Sequence, residues 1–225
     1  MNKFSKLKNI CLVFFIAGLD LLGGPLLLYC FRQHGAALFP ANQFTAHPAE
    51  VLRQIFMLSL CFFLIFAAFW RKLKKNFWKE MGLKIQNSFQ RDCAAILILL
   101  LILAGALGIR RSEDPVQVIF SLLYYVFAIG FTEEFLFRGA CDWLLKCFPW
   151  QVRYLLPSFL FGMIHIVAYG GFEPVTWRLV LEFMTAQLPG LMGSGCCLQL
   201  VRDRTGTLWV PVLLHGLMDF SILFL

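Results

Sequence analysis

Apolar stretches of about 20 residues recur along the chain and constrain its fold more than any other feature. A helix needs about 20 mostly apolar residues to cross a hydrocarbon core of about 30 Å. The 225 residues are 60% hydrophobic and only 15% charged, which is typical of an integral membrane protein. The sequence therefore predicts an all-α, polytopic transmembrane helical bundle that forms a single membrane domain over residues 1–225.

Seven of these stretches are predicted to span the membrane, and an eighth span is possible. Lys and Arg accumulate in cytoplasmic loops, and most of the 20 Lys and Arg residues fall before the first stretch and in the even-numbered gaps. This distribution predicts a cytoplasmic N-terminus. The predicted spans are residues 9–31, 53–70, 94–109, 116–145, 152–169, 177–200 and 208–225.

The predicted cytoplasmic loop 71–92 is the most basic segment, and it also contains Phe77, Trp78 and Phe89. Anionic headgroups attract such segments, so the +7 net charge indicates membrane lipid as a partner and does not indicate nucleic acid. The aromatic residues predict that part of the loop lies as an interfacial helix. A solvated loop is the alternative. The eight cysteines contain no CxxC pair and imply no disulfide framework or metal site.

A few ionisable residues interrupt the predicted spans. A charged side chain at mid-bilayer costs about 3 kcal/mol on insertion scales, so each is expected to face a partner or a wet cavity. We predict structural roles for Asp20, which would satisfy a broken first helix, and for Glu182, and an ion-pair role for Asp142 beside Arg138. The whole set is Asp20, Glu133, Glu134, Arg138, Asp142, His165, Glu182, His215 and Asp219.

The stretch "FTEEFLFRGA" (131–140) concentrates three of these charges. Glu134 and Arg138 are four residues apart and share one helix face, which favours an ion pair. Glu133 points away from Arg138. The spacing therefore predicts that Arg138 neutralises Glu134 and leaves Glu133 free to face another group.

Two further segments carry the histidines that fall within predicted spans. "FGMIHIVA" (161–168) puts Phe161 and His165 on one helix face, and "TGTLWVPVLLHGLMDF" (205–220) does the same for His215 and Asp219. Side chains four residues apart on a helix are neighbours. These two histidines are therefore candidates for a shared site.

The depths of these groups allow them to meet. At 1.5 Å per residue, Glu133 and His165 each lie about 20 Å from the predicted cytoplasmic turn at 147–151. His215 and Asp219 lie about 12–18 Å from the inner end of the last helix. We expect a site inside the membrane that is reached from the cytoplasmic side.

The residue types at this site favour hydrolysis. A glutamate beside a histidine can take a proton from water, and a second histidine can donate to the oxyanion of a tetrahedral intermediate. We expect no cofactor. Zinc is the alternative, because two histidines and a glutamate form a known ligand set, although the sequence has no HExxH and Asp219 could instead orient His215.

The three segments together resemble a known family. "EEFLFR", "FGMIH" and "HGLMD" are similar, in order, to the three motifs of the CAAX prenyl protease and bacteriocin-processing (CPBP or Abi) family of intramembrane proteases. The similarity covers residues 116–225, the expected motif-bearing catalytic core. It implies a glutamate-type intramembrane endopeptidase with an all-helical core, which favours a metal-independent protease over a metalloprotease.

The resemblance also implies roles for individual residues. Glu133 and His165 would activate water, and His215 with Asp219 would stabilise the oxyanion. Eukaryotic members resemble one another in having Asn at the last position, and an ionised Asp cannot donate to an oxyanion. Asp219 would then orient His215 or stay protonated. The residues in supporting roles are Glu134, Arg138 and Phe161.

The resemblance leaves the substrate open. Eukaryotic members process prenylated CaaX termini, whereas bacterial members are associated with bacteriocin immunity or peptide maturation. The small size resembles bacterial members, which implies the cytoplasmic membrane and a peptide or protein substrate near its membrane anchor. The alternatives are a non-catalytic immunity or scaffold protein and a proton-coupled transporter.

Overall fold

The computed structural model describes residues 3–33, 41–170 and 176–224, and these residues form eight helices and no strand, besides the single turn Ala41–Gln43. The all-α prediction is therefore confirmed. Within the described residues, each predicted span falls mainly on helical residues, and residue 225 of the last predicted span lies outside them. The helices are α1 Lys3–Gln33, α2 Pro48–Leu58, α3 Leu60–Glu80, α4 Ser88–Arg111, α5 Pro115–Leu145, α6 Trp150–Gly170, α7 over residues 177–205, and α8 Trp209–Phe224.

Among the described residues, α4 and α5 are long and apolar enough to cross a membrane. The pair α2 and α3 would form a third span, bent by 44°. The predicted span 53–70 thus falls on two helices. They meet at Ser59, whose hydroxyl donates to the Ile55 carbonyl (2.8 Å), a contact that often bends helices. The seven spans and the cytoplasmic N-terminus stay predictions.

Helix α1 runs unbroken from Lys3 to Gln33. The expectation that Asp20 satisfies a break in the first helix is therefore wrong. Glycine weakens a helix by only about 1 kcal/mol per residue, so the glycine pair at 23–24 does not by itself end one.

The segment predicted as a basic loop is partly helical and packs against the start of α8. Phe77 is fully buried, whereas Trp78 and Phe89 are exposed. The chain turns at Gly82, whose φ of +72° is readily available only to glycine. The Gly82 carbonyl accepts hydrogen bonds from the Leu208 N–H (2.8 Å) and the Thr207 hydroxyl (3.0 Å).

A capping residue fixes where α5 begins. The Asp114 carboxylate accepts a hydrogen bond from the Gln117 N–H (2.9 Å), and Pro115 occupies the first turn, where its missing N–H costs nothing. The Thr45 hydroxyl also donates to Asp114 (2.6 Å). The hydrogen bond from Thr45 is the largest cause that lowers the pKa of the Asp114 carboxyl group, and the hydrogen bond from the Gln117 N–H is the next. The capping residue is therefore ionised at neutral pH.

Helix α5 is wound irregularly around its two glutamates. The segments Tyr124–Gly130 and Phe135–Cys141 are π-helical and flank one α-helical turn, Phe131–Glu134. π-Helical turns are rare and occur frequently at functional sites. The winding presents the whole stretch 134–141 to the interior, where each of its residues is buried.

Helices α6 and α7 pack closely at a glycine. A Cβ added at Gly195 would lie 2.8 Å from the Ser158 Cβ and 3.1 Å from the Ser158 Cα. Backbone atoms at that distance cannot move aside without separating the helices. Gly193, on the same helix, has nothing within 4 Å of such a Cβ.

This contrast predicts opposite effects of two alanine substitutions. Gly195→Ala should lower the free energy of unfolding by about 1–3 kcal/mol through overpacking. Gly193→Ala should raise it by up to about 1 kcal/mol, because alanine is the better helix former. Thermal unfolding in detergent measures both, and equal effects of the two substitutions would contradict the close packing.

Candidate active site

A buried ion pair lies at the centre of the site. Arg138 donates through Nη1 to Glu134 Oε1 (3.0 Å) and through Nη2 to the Gly195 carbonyl of α7 (3.1 Å). The Glu134 and Arg138 side chains are 0% and 1% exposed. The guanidinium also stacks over the Phe161 ring, 4.4 Å from its centroid. The ion pair that the spacing of Glu134 and Arg138 predicts is therefore confirmed.

The same carboxylate oxygen of Glu134 also contacts a histidine on α8. The distance from His215 Nδ1 to Glu134 Oε1 is 2.9 Å. Sequence reasoning missed this contact, because it gave Glu134 no partner except Arg138. The two residues are 81 positions apart in sequence. The spacing of residues within one helix cannot indicate a contact at that separation.

The other ring nitrogen of His215 faces two carboxylates. Nε2 lies 3.5 Å from Asp219 Oδ2 and 3.8 Å from Glu133 Oε2. Glu133 Oε2 is buried and forms no hydrogen bond within the described part of the chain. Glu133, His215 and Asp219 thus form one cluster. Asp219 faces the nitrogen that Glu134 leaves free.

His165 has its own fixed orientation. Its Nδ1 lies 2.8 Å from the Phe161 carbonyl oxygen. A carbonyl can only accept, so Nδ1 carries a proton and Nε2 is the free nitrogen of the neutral ring. The Phe161 ring contacts the rings of both His165 and His215, at centroid distances of 4.9 and 5.8 Å. Phe161 therefore packs between the two histidines.

Glu133 and His165, which are expected to activate water together, have different neighbours in the structure. Glu133 contacts His215, whereas the hydrogen bond of His165 goes to the Phe161 carbonyl. Electrostatic interactions nonetheless link His165 to His215 and Asp219. Among the described residues, no group of three or more His, Cys, Asp or Glu side chains has an arrangement that could hold a metal ion.

The predicted ion pair between Asp142 and Arg138 is wrong. Asp142 instead accepts two hydrogen bonds from Arg153 of α6, at 2.9 and 2.6 Å. The Arg138 guanidinium is directed inward to Glu134 and Gly195, and Arg153 is the cation that reaches Asp142. Glu182 pairs with Arg178 on an exposed surface (2.8 Å), away from this cluster.

The helices that carry these residues match the model of a known protein family. Residues 115–221 match the family model described as type II CAAX prenyl endopeptidase, Rce1-like. The chain carries an Rce1-like domain. No curated protein and no solved structure gives a significant match.

The Rce1-like domain supports a relationship to the CAAX-type intramembrane proteases, and the members of the Rce1-like family are peptidases. The match begins at Pro115, where α5 begins, and ends within α8. It therefore includes every residue of the cluster described above and leaves α1 to α4 outside. The family match and the apolar helices together indicate an integral membrane protein.

The buried pair of the Rce1-like domain predicts a non-additive effect on stability. Arg138→Met should cost about 3–5 kcal/mol of unfolding free energy, because it leaves the Glu134 carboxylate buried without its guanidinium. The double variant Glu134→Gln/Arg138→Met should cost clearly less than Arg138→Met alone, because no buried charge remains unpaired. Unfolding in detergent measures this double-mutant cycle.

Arg178→Met is the matched control. It removes the arginine of another (i, i+4) pair, in which the arginine side chain is 88% exposed, so little effect on stability is expected. Additive effects of Glu134→Gln and Arg138→Met would contradict the coupling inferred for the buried pair.

Proposed function

We propose that the protein is an endopeptidase that hydrolyses a peptide bond of a membrane-associated peptide or protein, with water as nucleophile and Glu133 as the base. The observation that carries this proposal is the placement of His215 between carboxylates. Its Nδ1 contacts Glu134, and its Nε2 faces Glu133 and Asp219. This arrangement provides a base and an oxyanion donor side by side.

The protonation of His215 follows from its neighbours. Glu134 is ionised because it pairs with Arg138, and a carboxylate accepts, so Nδ1 of His215 donates to it. Two further carboxylates, of Glu133 and Asp219, lie within 4 Å of Nε2. A proton on Nε2 is therefore favoured electrostatically. We assign His215 as a doubly protonated imidazolium, whose Nε2–H is a donor.

The reaction then proceeds by ordinary proton transfers. Glu133 takes a proton from water, and His165 Nε2 accepts a hydrogen bond from the second hydrogen of the same water. The water oxygen bonds to the carbonyl carbon, and Nε2–H of His215 stabilises the oxyanion that forms. The C–N bond breaks as Glu133 returns its proton to the leaving amine nitrogen.

In this scheme Asp219 does not have to donate a hydrogen bond to the oxyanion. Its carboxylate lies 3.5 Å from His215 Nε2 and keeps the imidazolium charged and directed into the site. Eukaryotic members of the family resemble one another in having Asn at the position of Asp219. An aspartate can serve there, because the hydrogen-bond donor to the oxyanion is the His215 ring. Asp219 is thus a positioning residue for His215.

The family description supports a substrate class. The matched family is described as type II CAAX prenyl endopeptidase, so a peptide or protein held at the membrane by a lipid-modified C-terminal segment is the substrate we propose. Glu133, His165 and His215 lie on α5, α6 and α8, within predominantly apolar stretches of the sequence. A substrate anchored in lipid would reach them from within the membrane.

The first test removes the proposed base. Glu133→Gln keeps the size of the side chain but cannot take a proton, so the cleavage rate should fall by at least about 10²-fold. Mass spectrometry of membrane peptides from cells with the intact protein or the variant would detect the missing product and identify the substrate. Glu182→Gln, an acid-to-amide change at the exposed pair with Arg178, should retain activity.

Unchanged products in the Glu133→Gln variant would overturn the assignment of Glu133 as the base. A biological effect that survives the substitution without any product would favour the non-catalytic immunity or scaffold function.

We also propose that the chemistry needs no metal ion. An imidazolium has no free lone pair to offer a metal, so the carboxylates around His215 (Glu133, Glu134 and Asp219) favour a proton donor over a ligand. Treatment of the purified protein with EDTA or 1,10-phenanthroline should therefore leave peptide cleavage unchanged. Loss of cleavage that zinc restores would instead establish the zinc alternative.

A further inference from the structure

Asp20 lies on the buried face of α1, outside the Rce1-like domain. Val13, Ile16 and Ala17 are each at most 4% exposed and belong to the main hydrophobic core. Asp20 follows Ile16 by four residues and Ala17 by three, so it continues the same helix face. Gly18, in contrast, has nothing within 4 Å of an added Cβ. Helix α1 packs against α6 and against Phe135–Cys141 of α5, and also against α2 and α3.

One hydrogen bond fixes the register between α1 and α5. The Asn9 side-chain amide donates to the Leu144 carbonyl (2.8 Å), and Lys6 lies over the Phe148 ring at 5.9 Å. The start of α1 thus lies beside the end of α5, and the helices run in opposite directions. Asp20 follows Asn9 by as many residues as Glu133 precedes Leu144, which is about 16 Å along α1 and a little less along α5, where Phe135–Cys141 is π-helical. Asp20 and Glu133 therefore lie at the same level.

Electrostatics agree with this register. Asp20 interacts with the charges of Glu133 and His165, and the thiols of Cys61 in α3 and Cys141 in α5 also interact with the charge of Asp20. Among the described residues, the groups whose charges or thiols interact with Asp20 in this way are Glu133, His165, Cys61 and Cys141.

We infer that Asp20 is a positioning residue of the active site that acts through Glu133. When both are ionised, the carboxylates of Asp20 and Glu133 repel each other, and the repulsion ends when Glu133 accepts the proton of the attacking water. An interaction that is less unfavourable in the transition state than in the ground state accelerates the step. The inference rests on the proposed role of Glu133 as base.

Carbodiimide labelling tests this coupling without a substrate. Dicyclohexylcarbodiimide is apolar and adds to protonated carboxyl groups, so its reaction with Glu133 reports how readily Glu133 holds a proton. The probe is used on the full chain in lipid nanodiscs, with mass spectrometry of the Glu133 peptide. Asp20→Asn should slow the labelling of Glu133 about tenfold, the size expected for unit charges coupled at an effective dielectric constant of about 20.

Asp20→Glu keeps the charge and should restore most of the labelling, whereas Glu182→Gln, an acid-to-amide control, should not change it. A structural role for Asp20 would alter the thermal midpoint but would not discriminate charge in this way. Labelling of Glu133 at the rate of the intact protein in Asp20→Asn would overturn the inference.

Cleavage provides the second measurement, with an internally quenched farnesylated peptide that ends in a CaaX motif as the probe. Asp20→Asn should lower kcat by about tenfold and leave KM unchanged, and Asp20→Glu should recover most of kcat. A normal kcat in Asp20→Asn would overturn the catalytic part of the inference. If the intact protein cleaves no peptide but the labelling pattern holds, the proposed function fails while the coupling between Asp20 and Glu133 stands.

Discussion

The carboxylate of Glu134 is the interaction on which the rest of the site depends. It is fully buried, and one of its oxygens binds both Arg138 and His215. A buried charge without partners is strongly destabilising, so these two cations have to approach it together. Because Arg138 also donates to the Gly195 carbonyl, the requirement fixes α5, α7 and α8 relative to one another.

Close packing makes that approach possible. Gly195 lets α7 come within contact of Ser158 on α6, which brings its carbonyl within reach of Arg138. Phe161, from the same α6 helix, contacts the guanidinium and both histidine rings. The aromatic ring excludes water from the ion pair, and electrostatic interactions are stronger where water is excluded. Gly195 thus supports the charged cluster by allowing the helices to approach, and Phe161 supports it by covering the ion pair.

The N-terminal half contributes to the site although the family match does not include it. Gly82 and Leu83 accept hydrogen bonds from Thr207, Leu208 and Trp209 at the start of α8, the helix that carries His215. Asn9 sets the register of α1 against α5 and so brings Asp20 to the level of Glu133. Helices outside the family match therefore contact the helices that carry the motifs and hold them in place.

Much of this arrangement was predictable from the sequence, because helical period and hydrophobicity are local properties. The apolar stretches predicted the helices, and the spacing of Glu134 and Arg138 predicted their pairing. The three ordered motifs predicted the family. The bend at Ser59 and the partner of Asp142 were missed, since both depend on competing contacts that hydropathy and spacing do not report.

The sequence by itself determined which residue types are available for chemistry and on which helices they lie. Only the tertiary structure decided that Glu134 binds His215 as well as Arg138 and that Glu133 faces His215. These contacts join helices far apart in sequence. Their geometry follows from the packing of the whole bundle around a buried charge, and no local pattern encodes it.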